Sequence, residues 1–107
     1  MIRILIFGAE PIRGFHITGH SDYAQEGSDI VCAAVSSAAY MTANTITEIV
    51  GDKADAKVSD GKMFFAVKNP SNAAIMVLEG LKLHLTELSM QYSNNIKILE
   101  VQKNVKD

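Results

Sequence analysis

The chain holds one cysteine, Cys32, and it follows a histidine, His20, by twelve residues in the stretch GHSDYAQEGSDIVC. A thiol and an imidazole are the two parts of nucleophilic catalysis at a carbonyl. The imidazole takes the thiol proton, the thiolate attacks, and the imidazolium later protonates a leaving amine. The spacing permits this pairing without requiring it. Eleven intervening residues bring two groups together across a loop as readily as they hold them apart. A lone cysteine among alanines also serves as a small buried hydrophobe, and a histidine at a strand end often only meets solvent.

What surrounds the pair sharpens the question. Ser28 or Asp29 is a good N-cap for a helix, which places Cys32 in the first turn. A helix N-terminus favours an anion, and its unpaired N–H groups, that of Cys32 included, can receive an oxyanion. Asp29 is the first candidate to orient His20, with helix capping as its competing role. Ser36 lies one turn after Cys32 on the same face, as a supporting hydrogen-bond partner or a small packing residue. The segment between Gly19 and Gly27, with Ser21, Asp22 and Tyr23, reads as a substrate loop whose glycine ends permit it to order over a bound peptide. An ordinary surface loop has the same composition. His16 and His84 lack the glycine setting and the helix partner; His16 reads as a sheet-face residue and His84 as a helix surface residue. Three scattered histidines and one cysteine offer no metal-ligand spacing. No metal or cofactor is expected.

The elements that must position these groups follow from periodicity. RILIF (3–7) and GFHITGH (14–20) read as two strands close enough to form a hairpin, the second with Phe15 and Ile17 on one face and His16, Thr18 and His20 on the other. A helix runs from the cap to Val50, its stripe formed by Val31, Val35, Ala38, Ile46 and Ile49, with Gly51 as C-cap. Its small residues in the first half suit close packing on a sheet. KADAKVSDGKMFFAVK (53–68) is a second hairpin turning at Asp60-Gly61. Asn69-Pro70 opens a second helix with Pro70 at its first position and an apolar stripe of Ile75, Leu78, Leu81, Leu85 and Leu88. IKILEVQK (96–103) is a last strand. The order ββαββαβ predicts a single two-layer α+β domain over residues 1–107, with two long helices on one face of a sheet of about five strands. The other face of so small a sheet makes a homodimer plausible.

Composition bounds the function. The 107 residues are 48% hydrophobic and 21% charged, with a net charge of −2, the profile of an ordinary globular domain. This balance provides no basic footprint for nucleic acid. No run of about 18 apolar residues appears, so no membrane span is expected. The N-terminal apolar run is too short for a signal peptide and lacks a small-residue cleavage site. A lone thiol suits a reducing compartment, and a cytoplasmic location is expected.

Gly19, His20, Gly27, Asp29, Ile30, Val31, Cys32, Ala33, Val35 and Ser36 together form a pattern more specific than a cysteine and a histidine. It resembles the Gly-His, loop, Gly-x-Asp-Ile-Val-Cys-Ala, Val-Ser segment of the ribosomal-processing cysteine protease Prp family. Length and order of elements are similar to that family along the whole chain. The resemblance implies a cytosolic bacterial homodimer that cuts a precursor of the large-subunit ribosomal protein numbered twenty-seven. The segment removed is a short N-terminal extension ending in a hydrophobic, phenylalanine-containing stretch. It implies Cys32 as nucleophile and His20 as base. Ser21 departs from the family's usual alanine, and Asp22 and Glu26 make the loop more acidic than is typical. An acidic loop would favour a basic segment just after the cut. Neutralising Asp22 and Glu26 should then slow cleavage of a basic substrate, and unchanged rates would discard the idea. Two other readings of the same residues are a non-catalytic module docking on a ribosome-assembly component and a small thioesterase or acyl transferase.

Overall fold

Alternation along the first strand decides which way the sheet faces. In β1 (Ile2–Phe7), Ile2, Ile4 and Ile6 are buried and Arg3 is exposed, so one side of the pleat is apolar. The computed structural model describes residues 1–20 and 29–103. Its elements in chain order are β1, β2 (Gly14–Gly19), α1 (Ile30–Asn44), a π-helical turn (Thr45–Val50), β3 (Ala54–Ser59), β4 (Lys62–Val67), α2 (Asn72–Gln91) and β5 (Ile96–Val101). This is the ββαββαβ, two-layer α+β arrangement expected from periodicity.

The five strands form one sheet in the order β3-β4-β2-β1-β5. β1 and β2 are antiparallel with Ile4 opposite Ile17. β3 and β4 are antiparallel about the Asp60-Gly61 turn, with Ser59 opposite Lys62. The centre joins the two hairpins: β2 pairs antiparallel with β4, Phe15 opposite Phe65 and Thr18 opposite Lys62. β5 runs parallel to β1, Ile2 opposite Ile96, a pairing that the α2 crossover permits. It ends at Val101, two residues before the expected limit.

On the helix side, Ile2, Ile4, Phe15, Ile17, Phe65 and Ile96 meet Val31, Val35 and Ala39 of α1 and Leu78, Leu81 and Leu85 of α2 in one core. Phe15 and Phe65 stack there with centroids 5.4 Å apart. On the opposite side Phe7 stacks on Phe64 at 5.8 Å and His16 meets Phe64 edge-on at 5.8 Å. His16 is therefore a sheet-face residue, as its place in the alternation implies.

Two helix features differ from expectation. α2 opens at Ser71, not with Pro70 in its first turn: the Ser71 hydroxyl accepts from Ala74 N–H at 3.2 Å, and Ser71 N–H donates to Asp52 Oδ2 at 2.8 Å. Serine supplies the side-chain acceptor that a proline lacks. In the first helix, Ile49 is 80% exposed while Ile46 is fully buried. The helix ends in a π turn: Gly51 N–H donates to Ile46 C=O at 2.9 Å, five residues back. The wider turn carries Val50 rather than Ile49 round to the core side. By length and composition alone the stretch Ile30–Val50 is apolar enough to cross a membrane, contrary to the expectation above. In this fold Val31, Val35, Ala39 and Ile46 seat one face of it in the core.

Candidate active site

Two chain segments converge where β2 ends and α1 begins. β2 stops at Gly19, which has φ +90°. A Cβ on Gly19 would lie 2.3 Å from the Met1 carbonyl oxygen, so only glycine fits there. The Met1 ammonium donates to the His20 carbonyl, which ties the start of β1 to the histidine's backbone. His20 itself projects at the exposed end of the strand.

Asp29 is extended, with φ −79° and ψ 96°, and its Oδ1 accepts from Cys32 N–H at 2.9 Å. The cap is thus Asp29, and Cys32 is the third helical residue. Asp29 therefore caps the helix, one of the two roles weighed for it. The Cys32 N–H, counted above among the oxyanion donors, is already engaged by a carboxylate; within that turn the N–H groups of Ile30 and Val31 are those with no intrahelical acceptor.

His20 and Cys32 line the same cleft, together with Gly19 and Ser36. Cys32 is half-buried. Ile17, Val35, Met63 and Tyr40 add apolar lining. The β3–β4 turn and its flanks, Val58 to Lys62, line the cleft as well. Sequence reading identified that turn as a hairpin and missed it as part of the site. Its involvement follows from the pairing of β4 with β2, which no local signal announces. A thiol and an imidazole beside apolar side chains suit attack on the carbonyl of a peptide bearing hydrophobic side chains.

Ser21, Asp22, Tyr23, Glu26, Gly27 and Ser28 lie outside the described residues. His84 is exposed on α2 and lines a separate groove between α1 and α2, with Met41, Val77 and Gly80. Among the described residues no three His, Cys, Asp or Glu side chains group as metal ligands.

Known proteins share this architecture. Residues 1–97 match the family model of cysteine protease Prp. The ribosomal processing cysteine protease Prp of Bacillus subtilis is 23% identical over 94 residues, covering 81% of this chain and 84% of that protein. Its counterpart from Staphylococcus aureus is 25% identical over 83 residues, covering 75% and 78%. Among solved structures, the S. aureus ribosomal processing protease Prp with a covalently linked product peptide superposes with a TM-score of 0.86 at 24% identity, over 94% of this chain and 99% of that one. SMU.848 from Streptococcus mutans superposes with a TM-score of 0.81 at 19% identity, over 97% and 96%. The family match spans the cleft residues and strands β1 to β4, and the chain belongs to the cysteine protease Prp family.

Proposed function

We propose that this cysteine protease processes a ribosomal protein precursor, removing the N-terminal extension of the large-subunit protein numbered twenty-seven. Cys32 is the nucleophile and His20 the base. The observation that carries the assignment is the convergence of these two side chains on one cleft, from separate elements. The relatives named for ribosomal processing support the substrate class.

The substrate crosses the cleft in extended form. His20 takes the thiol proton, and the Cys32 sulfur bonds to the scissile carbonyl carbon. Backbone N–H groups of the first helical turn are the donors proposed for the oxyanion. The carbon–nitrogen bond breaks as His20 returns the proton to the departing amine. Water, deprotonated by His20, then hydrolyses the thioester and restores the thiol. The enzyme acts as a homodimer in the cytoplasm, a reducing compartment in which a lone thiol persists.

The test is a peptide spanning the extension and the first mature residues of the precursor, incubated with wild type, Cys32→Ala and His20→Ala. Cleavage by wild type alone is the expected result. Peptide bound but uncut by wild type would return the chain to a docking role. Turnover of small thioesters without peptide cleavage would indicate an acyl transferase or thioesterase.

A further inference from the structure

We propose that Gly61, in the turn between β3 and β4, is a positioning residue that holds the His20 ring against the cleft. This rests on the role of His20 proposed above. Pairing of β2 with β4 runs to Thr18 opposite Lys62. It continues one step further, since Gly19 N–H donates to Gly61 C=O at 2.9 Å. The next residue on that strand, His20, is thereby laid over the turn.

The contact is close. A Cβ built on Gly61 would lie 3.1 Å from His20 Nε2, 3.5 Å from Cε1 and 3.8 Å from Cδ2. The bare Cα of Gly61 therefore leaves room for the Nε2 edge of the imidazole, and a Cβ there would shift the ring by a few tenths of an ångström. Gly61 also has φ +69°, a conformation that β-carbons disfavour. Two separate requirements, backbone and contact, thus fall on one residue. His20 is otherwise exposed, on a strand end beyond its last paired residue. A turn belonging to a different hairpin supplies the wall that its ring needs.

The experiment compares Gly61→Ala, Gly61→Asn and Gly51→Ala. Gly51 shares the left-handed backbone, with φ +88°, but a Cβ there would meet nothing within 4 Å. It therefore controls for backbone strain. Asparagine tolerates this φ better than alanine, so Gly61→Asn controls for misfolding while still placing a Cβ against the ring. A misplacement of 1 Å costs about a hundredfold in rate, so a ring moved by roughly a third of that should lose about fivefold in kcat. Both Gly61 variants are expected to show this loss with KM within about twofold, and a displaced pH–rate profile. Gly51→Ala should keep the wild-type kcat and profile. Wild-type kcat and pH profile in both Gly61 variants would overturn the proposal, as would an equal loss in Gly51→Ala. His20 ring resonances, recorded without substrate, separate this inference from the functional one. They should move in both Gly61 variants and stay fixed in Gly51→Ala whether or not peptide is cut. Unmoved resonances would refute the positioning role even in an active protease.

Discussion

Asp29 offers the sharpest test of how the fold presents its thiol. Its carboxylate accepts the Cys32 N–H at 2.9 Å, and its own C=O accepts from Ala33 N–H at 3.2 Å. Asp29→Ala removes the side-chain acceptor and leaves the backbone one. Losing such a cap costs about 1 kcal/mol. Unfolding entropy near the midpoint is about 2.1 cal/mol/K per residue, so for a domain of this length 1 kcal/mol lowers Tm by about 4–5 °C. If the same 1 kcal/mol is spent locally, the first turn frays and the population with Cys32 in place falls by about fivefold at most. Asp29→Asn keeps an acceptor of similar capping strength and loses only the charge, about 0.3–1 kcal/mol at a helix N-terminus. Thermal unfolding and peptide cleavage, measured side by side, should rank wild type, Asn, then Ala in both assays. The cleavage loss in Ala should stay near fivefold. An unchanged Tm in Asp29→Ala would refute the cap's contribution. A loss in Asp29→Asn beyond about a hundredfold at unchanged Tm would refute the purely structural role and make the carboxylate part of the chemistry.

Other outcomes follow from packing and charge. Ile46→Ala should cost about 2–5 kcal/mol in urea unfolding and Ile49→Ala under about 0.5, because the π turn buries the first and exposes the second; equal costs would mean the turn is α-helical in solution. Phe65→Ala, which removes a fully buried ring stacked on Phe15, should cost about 3–5 kcal/mol or prevent folding. Lys82 bridges Glu100 and Glu79, each at 3.1 Å, and these hydrogen bonds raise its pKa above the ordinary 10.5. The pairing therefore stabilises the fold fully below pH 10.5 and is lost as pH rises through the raised value. The groups are partly solvated, so Lys82→Met should cost under about 1 kcal/mol at neutral pH, less in high salt. A loss of several kcal/mol would show a buried pair instead.

Features set by near neighbours were legible in the sequence. The Asp60-Gly61 hairpin, a cap at Ser28 or Asp29 and the stripe of α2 each depend on residues within one or two turns of one another. The Gly-His and Asp-Ile-Val-Cys segments identified the family, because Cys32 and His20 occur there in a specific frame. Other features came only with the tertiary structure. Sheet order depends on hydrogen bonds between strands distant in sequence, so nothing local announces that β4 joins β2 or that β5 runs parallel to β1. The stripe through Ile46 predicted Ile49 on the core side, and a single wider turn, closed by Gly51 N–H on Ile46 C=O, moved it to solvent. The same distant pairing set Gly61 behind His20. Residue types determine which groups can do chemistry; the register between remote strands decides which of them meet, since one ladder places the β3–β4 turn beside the end of β2.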